Sequence, residues 1–157
     1  MNRKLLVVVI AILAVVAVAM AAQSASQFGS KENAKWTATT NESATTPEQK
    51  EWLNRGKQET VTGEVIDYSC YMQLGKTGKG HIDCGSKCIR NGQPIGLLTS
   101  AKEVYLLMPE EHHPRRDGQV SIRESFASRM AQQVTVTGMV QERPEGKAIF
   151  VSAEGLK

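Results

Sequence analysis

Residues 60–67 read TVTGEVID, and apolar and polar residues alternate in this stretch as far as Val65. Such alternation is typical of a strand that has one face in a core and the other in water. Residues 133–140 read QVTVTGMV and repeat the same V-T-G-x-V pattern. A glycine within a strand permits the sharp bend that small barrels need. The two stretches therefore predict a pair of bent strands in one β-domain.

Three further apolar runs predict the remaining strands, and one periodic stretch predicts a helix. The additional strands are residues 94–98, 103–108 and 147–151. Residues 121–132 place Ile122, Phe126 and Met130 at four-residue spacing, which is the stripe of an amphipathic helix. The order of elements predicts a mainly β domain with one or two short helices, built as a five-stranded OB-like barrel. An open five-stranded sheet with a helix on one face is the alternative.

These strand motifs resemble those of small exported bacterial proteins with an OB fold. The two V-T-G-x-V strands and the Y-L-L strand at residues 105–107 carry the resemblance, which covers about residues 60–152. It implies the barrel alone, because the OB fold hosts many functions. The cysteine-bearing insertion between the first and second strands is not part of the general pattern, so the resemblance implies no ligand or reaction.

Two segments precede the domain, which we assign to residues 59–157. Residues 1–22 combine a short cationic leader with an uncharged apolar run. This pattern predicts a signal peptide, with an N-terminal membrane anchor as the alternative, and a periplasmic or secreted location for the rest of the chain. Residues 23–58 are rich in Ser, Thr, Gln and Asn, which predicts a flexible linker. Within it, Thr46 and Pro47 are typical of the start of a short helix.

The charge balance narrows the range of partners. The chain has 19 Lys and Arg against 16 Asp and Glu, and its net charge falls from +3 to +1 without the two cations of the leader. Binding to nucleic acid draws on clustered cations that release counterions, so we expect no nucleic-acid partner. A protein partner in the exported compartment fits this balance, and membrane contact is expected only through an uncleaved N-terminal segment.

The insertion between the first two barrel strands contains all three cysteines of the chain and one of its histidines. The four residues are Cys70, His81, Cys84 and Cys88. Residues 82–91 predict a helix that Gly92 ends. At about 100° per residue, positions 81, 84 and 88 share one helical face, and Cys70 begins the loop that folds over it. Thiolates and imidazole bind Zn(II) or Cu(I). The sequence therefore predicts a metal site formed by these four side chains.

Two alternatives use the same cysteines. In an oxidising compartment any two of the three thiols can form a structural disulfide. The protein would then be a scaffold that the disulfide stabilises and that binds a partner through a face of the barrel. Nearby cations and a helix N-terminus also lower thiol pKa values, which would suit a thiol–disulfide or electron-transfer protein. No Ser/His/Asp order or carboxylate pair indicates hydrolysis. His112 and His113 lie in a dense polar loop that we interpret as solvated. An exported metal-binding module, rather than an enzyme, is the favoured prediction.

Overall fold

A computed structural model describes residues 25–111, 118–152 and 156 of the chain. The signal peptide or anchor predicted over residues 1–22 lies outside these residues, as do His112 and His113. Among the residues described, no helix has the length and apolar character needed to cross a bilayer.

Within the described residues, the chain forms six strands, five α-helices and one 3-10 turn. The strands are β1 (Ser26–Phe28), β2 (Lys57–Asp67), β3 (Ile95–Leu98), β4 (Val104–Pro109), β5 (Gln133–Arg143) and β6 (Gly146–Val151). The helices are α1 (Ala38–Ser43), α2 (Pro47–Asn54), α3 (Tyr68–Leu74), α4 (Ile82–Arg90) and α5 (Gly118–Ala127), and the 3-10 turn spans Lys79–His81.

Strands β2 to β6 close into a five-stranded barrel. β2 pairs antiparallel with β3 and with β5, and β3 pairs antiparallel with β4. β4 runs parallel to β6, and β6 returns antiparallel to β5. The cycle of pairings therefore has no break, which confirms the predicted barrel over the open sheet. Helices α3 and α4 form the predicted insertion between the first and second barrel strands.

The glycines of the two V-T-G-x-V strands lie where neighbouring backbones approach closely. A Cβ atom on Gly138 would lie 2.4 Å from the carbonyl oxygen of Phe150, and one on Gly63 would lie 2.7 Å from that of Leu98. Both distances are shorter than any ordinary contact. The strands curve tightly enough to close the barrel because these two positions carry no side chain.

The barrel interior and one helix make the core. The strands contribute the fully buried side chains of Val65, Leu97 and Ile149. The predicted apolar stripe of the helical segment is also buried in this core, where Phe126 is its largest side chain. Burying a large apolar side chain stabilises the fold by about 1.5–3 kcal/mol. The helix ends at Ala127 rather than at the predicted residue 132, because residues 131 and 132 leave helical geometry to exchange backbone hydrogen bonds with Val65.

Residues 25–58 pack on the barrel, in contrast to the flexible linker predicted over residues 23–58. β1 pairs in parallel with β5, and Phe28 packs against Phe126 with ring centroids 4.6 Å apart. The rings of Trp36 and Phe150 pack edge to face, with their centroids 5.3 Å apart. The predicted helix start is confirmed, since Thr46 caps α2 in a capping box. The segment is ordered because its few apolar residues dock separately on the barrel, an arrangement that leaves no periodic pattern in the sequence.

Candidate metal centre

Asp67 connects the barrel to the insertion. It is the last residue of β2, where it pairs with Ile95 of β3, and it caps the helix that follows. Its Oδ1 atom accepts hydrogen bonds from the backbone N–H groups of Ser69 at 3.0 Å and Cys70 at 3.3 Å. A carboxylate in this position satisfies backbone groups that the first turn of a helix leaves unpaired. The cap fixes Cys70 in the first turn of α3, directly beside the end of the barrel strand.

The loop between α3 and α4 is held against β2. α3 ends at Gly75, whose φ of 65° lies in the left-handed region. The backbone N–H of Gly78 then donates to Oε1 of Glu64 at 2.6 Å. The 3-10 turn that follows carries His81 into the interior, where the side chain is 3 % exposed. The tether to β2 therefore brings the histidine back towards the strand that ends at Asp67.

Helix α4 is fixed by its contacts with the end of α5. Ser86 is buried and donates to the carbonyl oxygen of Ala127 at 3.0 Å, while Arg90 forms an ion pair with Glu124 at 2.8 Å. A Cβ atom on Gly85 would lie 2.6 Å from Cε of Met130. The absence of a side chain at Gly85 allows α4 to approach this closely, which sets the positions of the two cysteines on the helix.

Five side chains converge in two overlapping groups of three. The ligand atoms of Cys70, His81 and Cys84 lie within 4.8 Å of one another, and so do those of Asp67, Cys70 and Cys88. Bonds of about 2.0–2.3 Å to a tetrahedral Zn(II) ion place its donor atoms about 3.3–3.8 Å apart, so a group whose donor atoms are up to 4.8 Å apart must contract by up to about 1–1.5 Å to hold an ion. Three of the four predicted ligands therefore share one group, and Cys88 lies in the second group, which is joined to the first through Cys70.

Asp67 is the member of the cluster that sequence reasoning missed. Its position three residues before Cys70, at the junction between a strand and the insertion, was the available signal. The same position is typical of a helix cap, and the structure shows that the residue is one. Only the folding of α3 and α4 against β2 shows that the carboxylate of Asp67 also belongs to the cluster.

Two buried polar atoms in the cluster have no hydrogen-bond partner. They are Oδ2 of Asp67 and Nε2 of His81, which lie 3.9 Å apart. Asp67 is 0 % exposed and His81 is 3 % exposed. A buried polar group without a partner costs about 1–3 kcal/mol. Cys84 is exposed, whereas Cys70 and Cys88 are half-buried. The cluster is therefore closed on the side of Asp67 and His81 and accessible to solvent at Cys84.

The surroundings favour the protonated form of two thiols. The pKa of Cys70 is raised to about 11, first by its hydrogen bond with Asp67, then by burial, and then by the charges of Asp67, Cys88 and Cys84. The pKa of Cys88 is raised first by burial and then by the charge of Asp67. This direction is opposite to the lowered thiol pKa expected from the cations of the insertion, because the nearest charge is the carboxylate. All three cysteines are free thiols in this structure.

No protein-family model, curated protein or solved structure matches this chain. The resemblance to small exported OB-fold proteins therefore rests on the strand motifs alone, and membership of that family stays a prediction.

Proposed function

We propose that the protein is an exported binding module that holds a transition metal, Zn(II) or Cu(I), in the cluster beside its barrel. The primary ligands are Cys70, His81 and Cys84, with Cys88 as the fourth. Thiolate and imidazole donors suit both ions. Export is supported by the cationic leader and apolar run of residues 1–22.

The observation that carries this proposal is the state of His81. Its side chain is 3 % exposed, and its Nε2 atom has no hydrogen-bond partner. A ring nitrogen of the same residue lies within 4.8 Å of the sulfur atoms of Cys70 and Cys84. An imidazole in a protein core normally has partners for its polar atoms. A metal ion supplies the missing partner, and the two sulfurs complete three sides of its coordination shell.

Thiol–disulfide exchange is the second candidate, and one observation favours it. The sulfur of Cys70 lies within 4.8 Å of those of Cys84 and Cys88, so either pair can form a bond if a local movement brings the two sulfurs to about 2.05 Å. The attacking species in such exchange is the thiolate. The pKa of Cys70 is raised to about 11, which keeps this thiol protonated near neutral pH. The metal-binding proposal is therefore the stronger one, because a bound cation stabilises the thiolates that the metal-free site disfavours.

Metal content of the full chain tests the proposal. The protein is purified without a histidine tag from its exported compartment under reducing conditions, and elemental analysis is combined with native mass spectrometry. We expect stoichiometric zinc or copper, and its loss in His81→Ala and Cys84→Ser. Lys87→Ala is the matched control, because Lys87 is exposed on the same helix and supplies no donor to the cluster. A metal-free wild-type protein that also fails to bind either added ion would refute the proposal.

A further inference from the structure

The two groups of three donors in the cluster have only Cys70 in common. We call Cys70, His81 and Cys84 the outer trio, since Cys84 is exposed, and Asp67, Cys70 and Cys88 the inner trio, since Asp67 is fully buried. Building on the proposed metal-binding function, we propose that the cluster binds two divalent ions of the Zn(II) class. One ion lies in each trio, so that Cys88 binds the second ion instead of completing the shell of the first, and the thiolate of Cys70 bridges the two ions.

The first argument is that each trio has its own buried atom without a partner. His81 of the outer trio has its Nε2 atom without a partner, and Asp67 of the inner trio has its Oδ2 atom without one. A tetrahedral ion accepts four ligands, whereas five donor side chains converge here. An ion held by the three cysteines and His81 leaves Oδ2 of the buried Asp67 side chain without a partner. A second ion in the inner trio gives that carboxylate a partner.

The second argument is charge balance. Three thiolates and the carboxylate of Asp67 carry four negative charges when all of them act as ligands. A single divalent ion would leave two of these charges uncompensated in a site whose acidic residue is 0 % exposed. Buried charges are stable only when they are paired or bound to a metal. Two divalent ions neutralise the set, whereas two Cu(I) ions do not.

The donor types of the inner trio point to the same metal. Carboxylate is a ligand for Zn(II) but a poor one for Cu(I), which prefers thiolate and thioether sulfur. A thiolate sulfur has enough lone pairs to bind two ions, and Cys70 is the residue whose sulfur lies within 4.8 Å of the donors of both trios. Each ion then has three protein ligands, so that a fourth tetrahedral position remains for solvent or for a ligand from a partner.

Zinc stoichiometry of the full chain tests this inference. Reduced protein is titrated with Zn(II) against a chromophoric chelator, and the complexes are counted by native mass spectrometry. We expect two zinc ions per wild-type chain and one in Asp67→Asn and in Cys88→Ser. Cys70→Ser, which removes the bridge, should lose both, and Lys87→Ala should keep both. Asp67→Asn is the sharpest variant because asparagine retains the side-chain oxygen that caps α3 while removing the charge.

The possible outcomes separate the two proposals. A wild-type chain that saturates at one zinc ion overturns the second ion and leaves the proposed function standing. A chain that binds no metal at all overturns both. Two zinc ions in Asp67→Asn would show that the acid does not hold the inner ion and would overturn the assignment. Circular dichroism of each variant shows whether the barrel is folded, and replacement of Zn(II) by Co(II) reports thiolate ligation through its charge-transfer absorption.

Discussion

Nε2 of His81 lies 3.9 Å from Oδ2 of Asp67, and neither atom has a hydrogen-bond partner. The separation is too long for a hydrogen bond. The two residues come from different parts of the fold, since Asp67 ends β2 and His81 precedes α4. Both are held by their own surroundings, one through its cap and its strand pairing and the other through the tethered loop. The barrel therefore positions an acid and a base close together without joining them, which is an arrangement suited to a bound cation.

Metal binding should stabilise the folded chain. At a free zinc concentration about 100 times the Kd, the free energy of unfolding should rise by about 2.7 kcal/mol, because the ion binds the assembled cluster more tightly than the unfolded chain. Differential scanning calorimetry with and without added Zn(II) measures the shift in Tm. A chelator should reverse it, and Cys84→Ser should reduce it while Lys87→Ala does not. An equal shift in the Cys84 variant would argue against the cluster as the binding site.

Two substitutions of Asp67 separate its role as a cap from its charge. Asp67→Ala removes the oxygen that accepts from the N–H groups of Ser69 and Cys70, and loss of such a cap costs about 0.5–2 kcal/mol. Asp67→Asn keeps an acceptor and removes a buried charge. In the presence of chelator we expect the alanine variant to be less stable than the asparagine variant by about 1 kcal/mol. Urea unfolding of both variants measures the difference, and equal stabilities would show that the cap contributes little.

The stability of the metal-free protein should fall at high pH. The folded state raises the pKa of Cys70 from an ordinary value of 9.0 to about 11, so the folded chain holds this proton more tightly than the unfolded chain does. The resulting stabilisation is complete below pH 9 and is lost as the pH rises from 9 to about 11. Urea unfolding across this range should show a steeper decline in the wild type than in Cys70→Ser. Parallel curves for the two proteins would contradict the raised pKa.

The same pKa direction predicts proton release on metal binding. Cys70 and Cys88 are protonated near neutral pH in the metal-free protein, since the pKa values of both thiols are raised. Each must lose its proton to become a ligand, so the apparent metal affinity should rise with pH. Calorimetric titration with Zn(II) in buffers of different ionisation enthalpy counts the protons released. A release of fewer than one proton per chain would mean that these thiols do not ligate.

Close packing at the barrel glycines can be tested by a substitution in β5, outside the cluster. Gly138→Ala would place a Cβ atom 2.4 Å from the carbonyl oxygen of Phe150, so the strands must separate locally, at a cost of about 1–3 kcal/mol. Gly80→Ala is the control, because a Cβ atom there would have no neighbour within 4 Å. Thermal unfolding should show a clear loss for the first variant and little change for the second. Similar Tm values would indicate that β5 and β6 are less constrained than the contact implies.

The barrel and most of the cluster were predictable because their signals are local and periodic. The alternation of apolar and polar residues predicted β2 and β5. The angle of about 100° per helical residue predicted that Cys84 and Cys88 share one face of a helix, and α4 confirms that helix. Asp67 was missed because a carboxylate before a helix has an ordinary explanation as a cap. The packing of residues 25–58 was missed because Phe28 and Trp36 contact residues of the barrel that are far away in the sequence, and such pairings leave no local pattern.

The parallel pairing of β1 with β5 determines where this domain can be shortened. Ser26–Phe28 cover residues 134–136 of β5 on the side away from β2. A chain that began at residue 59 would leave that part of β5 as an open edge and expose the ring of Phe126. Open edges recruit strands from other molecules. Such a fragment should self-associate. The shortest fragment that keeps this edge of β5 covered therefore starts before Ser26 and not at the first strand of the barrel.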